Sequence, residues 1–332
     1  MAGPGVSGRD GEIAAFLERA GWGDAQRRPL AGDASFRRYD RLEGPRGRAV
    51  LMDAPPPHED IGPFVAIDRY LAGIGLGAPQ ILAEDAETGL LLLEDLGDAI
   101  YKRIIADGMD ELPLYLAAVD ALIALHRATP PEGLAIYDDT EMIARASLFV
   151  DWFAPLAGIG LDDAGRADFT AAWRAILPAL HRVPRVVILR DYHAENLLWL
   201  PEREGLKRIG QLDFQDATLG PATYDLVSLL EDARRDVAPA TVASALEHYL
   251  AAFPDLDREA FAAAYAVAGA QRNFRILGVF CRLLTRDGKP GYQDLMDRVW
   301  GHVATDLAHP ATAPLAAWLD RWVPRSKRTR AA

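Results

Sequence analysis

Three polar residues in the middle of the chain have types and spacings that suit phosphoryl transfer. Asp191 precedes Asn196 by five positions within a polar loop, and Asp213 follows Asn196 by 17 positions at the end of an apolar run. A carboxylate such as that of Asp191 can orient an attacking hydroxyl and accept its proton. The amide and carboxylate oxygens of Asn196 and Asp213 are hard ligands of the kind that Mg²⁺ prefers. The order of these residues therefore predicts a magnesium-assisted phosphoryl-transfer centre.

Apolar runs on both sides of this loop predict strands that hold it in place. Residues 186–189 form a continuous apolar run directly before the loop, and residues 197–200 and 208–212 form two short runs after it. A polar loop anchored between strands is where a rigid scaffold presents reactive side chains. Each half of the pattern alone is also compatible with ordinary loop polarity, so the inference depends on both halves occurring in this order.

The first hundred residues predict a small antiparallel sheet with one helix packed on it. Residues 36–42 and 49–52 are two strand-like runs joined by a glycine-containing turn, and residues 79–82 and 89–93 form a second pair. Between these hairpins, residues 59–73 carry apolar positions at helical spacing. The N-terminal part of the chain is therefore predicted to be rich in sheet.

Helical patterns dominate the sequence after a short connector at residues 94–97. Runs rich in Ala and Leu at helical spacing occur at 112–128, 140–153, 166–181, 222–234, 239–252 and 257–285. We therefore predict an α+β protein with two lobes. A sheet-rich N-lobe occupies residues 1–97, and a larger, mostly helical C-lobe at residues 98–332 carries the catalytic loop and the substrate site.

The composition argues against several other classes of protein. The 332 residues carry a formal net charge of −12, which disfavours nucleic acid as a partner because phosphate backbones select basic surfaces. Cys281 is the single cysteine, so an intramolecular disulfide is excluded. No apolar stretch reaches the roughly 18 residues of a membrane span, and the N-terminus lacks the pattern of a signal peptide. We therefore expect a cytoplasmic protein that acts without membrane or nucleic acid, and we infer no obligate protein partner.

Two longer motifs resemble those of a known enzyme family. Residues 189–196 match H-G-D-x-x-x-x-N except at the first two positions, and residues 212–217 and 220–226 match I-D-[WF]-x-D-A and G-x-x-x-Y-D-L, with Leu for the initial Ile. These motifs are similar to those of the aminoglycoside phosphotransferase/choline kinase family, and the resemblance covers roughly residues 28–300. It implies a protein-kinase-like fold that uses ATP and Mg²⁺.

The resemblance assigns roles to the central residues. It implies that Asp191 orients and deprotonates the acceptor hydroxyl, and that Asn196 and Asp213 bind Mg²⁺. Asp225 lies in the Y-D-L motif. We expect its carboxylate to cap the helix that begins there or to brace the catalytic loop.

The same resemblance implies two nucleotide-binding segments in the N-lobe. The run at 91–97 resembles a hinge, in which the carbonyl of Glu94 and the N–H of Leu96 would bind adenine. Gly32, Asp33 and Ser35 form a turn whose backbone amides can cover the phosphates, although the charge of Asp33 would have to face away.

The position that usually binds the α- and β-phosphates departs from the family pattern. Related kinases carry a basic residue on the third strand, where this chain has Met52, and no lysine precedes Lys102. An arginine must replace the lysine if any residue does. Arg37 and Arg38 alternate along the preceding strand, and Arg37 is the favoured substitute. A solvent-facing position is an equally good prediction for both side chains.

Further segments resemble one group within the family. Residues 32–39, 51–56 and 271–278 are similar to the bacterial anomeric sugar kinases of peptidoglycan recycling. The resemblance implies a sugar acceptor beside the catalytic loop. The expected sugar-binding residues are His193, Glu195 and Gln215 next to the catalytic residues, and Arg272 and Arg275 for a substrate carboxylate. Structural ion pairs are the competing role for the two arginines.

The function implied by this resemblance is ATP-dependent phosphorylation of the anomeric C1 hydroxyl of N-acetylmuramate and N-acetylglucosamine. The products would be sugar 1-phosphates for cell-wall recycling. Two alternatives stay open: a kinase of another small alcohol, such as an aminoglycoside or choline, and a non-catalytic nucleotide-binding scaffold. The region 257–300 lacks a dense acidic cluster, which favours a neutral or anionic acceptor over a cationic one.

Overall fold

The computed structural model describes residues 8–30 and 36–330 of the chain. Most strands are short and lie in the N-terminal third. They are β1 (Gln26–Pro29), β2 (Arg38–Gly44), β3 (Gly47–Asp53), β4 (Ile81–Asp85), β5 (Leu90–Glu94), β6 (Arg185–Ile188), β7 (Leu197–Trp199), β8 (Ile209–Gln211) and β9 (Thr218–Pro221).

Helices account for most of the remaining chain. They are α1 (Gly8–Arg19), α2 (Gly62–Gly73), α3 (Tyr101–Ala106), α4 (Glu111–Arg127), α5 (Asp139–Ala146), α6 (Ala154–Leu156), α7 (Asp163–Ile176), α8 (Tyr224–Leu230), α9 (Pro239–Ala252), α10 (Arg258–Thr285), α11 (Met296–Leu307) and α12 (Ala313–Trp322). No helix in the part of the chain described is long and apolar enough to cross a membrane.

The first of two compact units runs to Ile100 and is built on one antiparallel sheet. The strand order is β1-β2-β3-β5-β4, and β2 and β3 form a hairpin that turns at Gly47. Gly47 has φ +99°, a left-handed conformation that glycine adopts at no steric cost. α1 covers the sheet with Phe16 and Leu17, which pack in one apolar cluster with Leu51 and other buried strand residues. The predicted antiparallel sheet is confirmed, and α2 (Gly62–Gly73) is the helix that the sequence predicts at residues 59–73.

The first unit also contains Leu197–Asp216, which the sequence assigns to the C-lobe. The backbone N–H of Trp199 donates to the carbonyl of Ala99 at 2.8 Å, and that of Gln211 donates to the carbonyl of Gly77 at 2.7 Å. These hydrogen bonds join β7 and β8 to the N-terminal part of the chain. A boundary near residue 97 therefore separates only part of the chain, because the later hairpin returns to the first unit.

The second unit contains Tyr101–Asn196 and the chain from Ala217 onward. α10 lies at its centre and is buried on most sides, as the sequence predicts. Phe274 of α10 packs against Phe149 and Trp173, with ring centroids 4.7 and 5.6 Å apart. Such aromatic packing supplies much of the core, because each ring buries a large apolar area.

The small sheet of β6 and β9 places the catalytic loop within the second unit. The strands are antiparallel, and their register runs from Arg185 opposite Pro221 to Ile188 opposite Thr218. The sequence predicts β6 but not β9, which is four residues long and includes Gly and Pro. α11 and α12 are likewise absent from the predictions above, although both pack their apolar faces into the core. The mixed α+β fold class is confirmed.

Candidate active site

The catalytic loop begins directly after β6 with a residue in a strained conformation. Arg190 has φ +72°, which a residue with a Cβ seldom adopts. The buried carboxylate of Asp225 accepts hydrogen bonds from the backbone N–H of Leu189 at 2.6 Å and from that of Arg190 at 2.9 Å. Hydrogen bonds from N–H groups to a buried carboxylate are stronger than neutral ones. They offset the cost of the turn that presents Asp191.

The turn is closed on its other side by Asn196. The Nδ2 of Asn196 donates to the carbonyl of Asp191 at 2.9 Å, and the backbone N–H of Asn196 donates to the carbonyl of His193 at 2.9 Å. The hydroxyl of buried Tyr192 donates to the carbonyl of Ala118 on α4 at 2.9 Å. Because Nδ2 is the amide atom that bonds the loop, Oδ1 is the atom of Asn196 suited to a metal ion.

Positive charge surrounds the carboxylate of Asp191. Burial alone would raise the pKa of Asp191, but the charges of Arg275 and Arg272 outweigh it, and the pKa lies below its ordinary value. Asp191 is therefore ionised at neutral pH. A carboxylate with a low pKa is a weak base.

Arg272 and Arg275, both of α10, are expected from the sequence to bind the substrate or to form ion pairs. Arg272 is 2% exposed, and its Nε and Nη1 find no hydrogen-bond partner among the residues that the structure describes. Burial lowers the pKa of Arg272. For Arg275, the charges of Tyr224 and Asp191 outweigh burial and raise the pKa. Both arginines contribute to the electrostatic field at Asp191.

His193 and Glu195 follow Asp191 in the catalytic loop. Burial and the charge of Arg234 lower the pKa of His193 to about 4, so its imidazole is neutral at pH 7. The carboxylate of Glu195 forms ion pairs with Lys102 at 2.5 Å and with the Nε of Arg234 at 2.7 Å. Arg234 also lies 3.4 Å from His193 Nε2 through its Nη1. The sequence gives no motif for Arg234 or Lys102, since both meet Glu195 only in three dimensions.

Asp213 lies in the first unit, in a left-handed turn directly after β8. Its φ is +59°, and its Oδ1 accepts a hydrogen bond from the Nε2 of Gln215 at 2.6 Å. The intervening Phe214 is fully buried and packs on Phe64 of α2, with centroids 4.8 Å apart. The Asp213 carboxylate is therefore held by the Gln215 amide, and Phe214 anchors the turn. Gln215 is expected from the sequence to bind the sugar, and in the structure its side-chain amide contacts Asp213.

The predicted hinge follows β5 in the first unit. The N–H of Glu94 donates to the carbonyl of Gln80 at 2.8 Å, and the Glu94 carboxylate pairs with Arg203 at 2.5 Å. Leu96 is buried. The side chain of Glu94 is thus engaged within the protein.

The predicted phosphate-binding residues are only partly described. Gly32, Asp33 and Ser35 lie outside the described residues. Met52 is fully buried, and the guanidinium of Arg37 pairs with Glu59, with Nε and Oε2 3.2 Å apart.

Arg41 on β2 is a further half-buried cation of the first unit that the sequence analysis does not single out. It pairs with Asp95 at 2.8 Å and with Asp98 at 2.9 Å, so it ties the strand to the segment after the hinge. The only sequence signal for it is its spacing of four from Arg37, which places both on one face of an extended strand.

Comparison with known proteins gives consistent matches over most of the chain. A family model described as "Phosphotransferase enzyme family" matches residues 26–262. The chain is 43% identical to an N-acetylmuramate/N-acetylglucosamine kinase of Caulobacter vibrioides, over 97% of this chain and 99% of the relative. It is 38% identical to a kinase of the same name from Pseudomonas aeruginosa, over 90% of each chain.

Solved structures with a similar fold share much less sequence. A choline/ethanolamine kinase family protein from Mesorhizobium loti superposes with a TM-score of 0.63 at 16% identity, over 94% of this chain and 99% of that one. The streptomycin–ATP–APH(2")-IIa ternary complex gives 0.59 at 15% identity, over 94% and 98%. These likenesses confirm the fold that the sequence predicts.

Proposed function

The chain belongs to the phosphotransferase enzyme family, and we propose that it phosphorylates N-acetylmuramate and N-acetylglucosamine with a nucleoside triphosphate. The observation that carries this proposal is the 43% identity, over nearly the whole of both chains, to a kinase named for these two sugars. The site supports it, because Asp191 is ionised, braced by Asp225 and closed by Asn196. A related fold binds ATP in a solved complex. We propose ATP as the phosphoryl donor.

The proposed acceptor atom is the anomeric C1 hydroxyl. A hemiacetal hydroxyl is more acidic than an ordinary alcohol, because the ring oxygen withdraws electrons from C1. The lowered pKa of Asp191 makes it a weak base, which suits an acidic acceptor better than an ordinary one. In the reaction, the C1 oxygen bonds to the γ-phosphorus while the bond to the β-bridging oxygen breaks, and Asp191 accepts the hydroxyl proton. The products are a sugar 1-phosphate and a nucleoside diphosphate.

Mg²⁺ is the metal that we propose for this reaction. The orientation of the Asn196 amide and the carboxylate of Asp213 each fit a hard oxygen-preferring ion. When bound, Mg²⁺ would neutralise charge on the nucleotide phosphates.

Nucleotide binding is assigned to the first unit. The backbone of Glu94 and Leu96 would bind the base, and Gly32, Asp33 and Ser35 would cover the phosphates. Arg37 would contact phosphate oxygens in competition with the carboxylate of Glu59, which pairs with its Nε. Since ATP is a cytoplasmic metabolite, the proposed reaction takes place in the cytoplasm.

The test is ATP consumption coupled to product mass, with the two amino sugars, an aminoglycoside and choline as parallel acceptors. Asp191→Asn protein is the blank, since it keeps the shape of the side chain and loses its charge. A phosphate that is released by mild acid, as glycosyl phosphates are, would identify the 1-phosphate. Turnover of choline or the aminoglycoside but of neither sugar would overturn the acceptor assignment.

A further inference from the structure

A small basic pocket lies beside the catalytic loop, entirely within the second unit. It has a volume of about 260 Å³ and is lined by Lys102, Glu195, Arg234, Lys289, Gly291, Tyr292 and Leu295. Three of the lining side chains are cations and one is a carboxylate. A positive pocket is unexpected in a chain whose formal net charge is −12. Its charge therefore favours an anionic ligand.

Two of the three cations are already paired within the protein. Lys102 and Arg234 share the carboxylate of Glu195, at 2.5 and 2.7 Å. Lys289 is half-buried and forms no ion pair with any residue that the structure describes. The charge of Lys289 helps to lower the pKa of Asp287, so this carboxylate lies near it without forming an ion pair. The ammonium can therefore take an anionic ligand without breaking an ion pair of its own.

The backbone holds Lys289 in place. Its N–H donates to the carbonyl of Leu283 near the C-terminus of α10 at 3.1 Å. Gly288 precedes it with φ +63°, and a short 3₁₀ turn, Pro290–Leu295, follows it. Tyr292 forms one wall of the pocket and packs on Phe280, with centroids 5.0 Å apart. The ammonium is therefore presented by a constrained segment.

The pocket is connected to Asp191 through the catalytic loop. Glu195 follows Asp191 by four residues and directly precedes Asn196. His193 lies between them, with its Nε2 3.4 Å from Arg234 and its charge state influenced by both Arg234 and Asp191. The pocket therefore borders the same loop that carries Asp191, through Glu195 and through the contact of Arg234 with His193.

We propose that Lys289, with Arg234 and Lys102, binds the carboxylate of the lactyl ether of N-acetylmuramate. N-Acetylglucosamine lacks this group, so the pocket determines how strongly the enzyme prefers one sugar over the other. The inference rests on the proposed function above. It also replaces Arg272 and Arg275 as the expected carboxylate ligands, because Arg272 is almost fully buried beside Asp191 whereas Lys289 borders an open pocket.

The test compares kcat/KM for the two sugars in wild-type protein and Lys289→Gln. We expect kcat/KM for N-acetylmuramate to fall about 10- to 100-fold, since a charge-assisted hydrogen bond is lost, and the ratio of the two values to change by nearly as much. Lys289→Arg should restore most of the ratio. Arg286→Gln is the matched control, because Arg286 is an exposed cation three residues earlier that pairs with Asp287.

A neutral substrate tests the contact with Lys289 by removing the charge of the sugar instead of that of the protein. The methyl ester of N-acetylmuramate keeps the bulk of the lactyl group and removes its charge, so wild type and Lys289→Gln should use the ester equally well. An equal fall for both sugars, or a raised KM for ATP, would overturn the proposal, because the pocket would then serve the loop or the phosphates. Wild-type protein that uses neither sugar would instead overturn the proposed function.

Discussion

The backbone N–H of Arg190 donates a hydrogen bond to the carboxylate of Asp225 at 2.9 Å, although the two residues lie 35 positions apart. Arg190 adopts a left-handed conformation, and Asp225 also accepts a hydrogen bond from Leu189 at 2.6 Å. The strained turn that presents Asp191 therefore depends on one buried carboxylate. Strained residues of this kind occur at functional sites, where the surrounding structure fixes them.

Asp225→Asn should reduce kcat by about 100-fold with little effect on the KM for ATP. One of the two N–H groups would face the Asn amide instead of an oxygen, so the turn would shift Asp191. Steady-state kinetics with N-acetylglucosamine would measure the change. Asp163→Asn, which alters an exposed acid at the start of α7, is the control and should match wild type. An Asp225→Asn protein with unchanged kcat would show that the turn does not need the carboxylate.

The hydrogen bonds between Asp225 and the turn also predict that kcat depends on pH. Burial raises the pKa of Asp225 to about 7, and the hydrogen bonds from Leu189 and Arg190 only partly counter this. A protonated carboxyl accepts these bonds more weakly, so kcat should fall as the pH drops below about 7. The acidic limb should be missing from the residual activity of Asp225→Asn. A limb that persists in the variant would belong to another group, such as the nucleotide.

Two other buried carboxyl groups, those of Glu231 and Asp306, make the stability of the protein depend on pH. Asn273 donates from Nδ2 to Glu231 at 2.7 Å and to Asp306 at 2.9 Å. Burial raises the pKa of Glu231 to about 7, and burial together with the charge of Glu231 raises that of Asp306. The folded protein thus binds protons here that the unfolded chain has released. The contribution of this pair to stability therefore falls as the pH rises from about 4.5 to 7.

Glu231→Gln should remove most of this dependence. The free energy of unfolding of wild type, relative to that of the variant, should fall by up to about 3 kcal/mol between pH 4.5 and 7. Urea unfolding at several pH values would measure it. Glu132→Gln changes an exposed acid and should give a difference that does not vary with pH in this way. Parallel curves for wild type and Glu231→Gln would show that the pKa of Glu231 is not raised in the folded protein.

Local sequence patterns predict the elements that depend on short-range information. The apolar spacing of α10 and the polar loop between β6 and β7 are both visible in the sequence, and the structure has both. The return of β7 and β8 to the first unit is not, because it depends on hydrogen bonds from Trp199 to Ala99 and from Gln211 to Gly77. Contacts between residues a hundred or more positions apart leave no local period in a sequence.

The candidate site divides in the same way. The roles proposed for Asp191, Asn196 and Asp213 follow from residue type and spacing, and so do those expected for the residues next to them. Lys289 does not, since it lies 94 positions after Glu195 in an ordinary polar turn. Its importance lies in its half-buried position beside two paired cations, which is a property of the folded chain.

Asp213→Asn should separate metal binding from nucleotide binding. The Asn Oδ1 can still accept the hydrogen bond from Gln215, and Phe214 stays packed on Phe64, so the turn should keep its conformation. The lost charge should weaken Mg²⁺ binding, because the ion prefers carboxylate ligands. In calorimetry, wild-type protein should bind ADP more tightly with Mg²⁺ than with EDTA. In the variant, the tightening of ADP binding by Mg²⁺ should be smaller by about 10-fold or more, and the affinity for ADP in EDTA should be unchanged.

Asp24→Asn, at an exposed acid of the first unit, should behave as wild type. An unchanged Mg²⁺ effect in Asp213→Asn would exclude Asp213 as a ligand, and a loss of ADP binding in EDTA would point to a damaged turn instead.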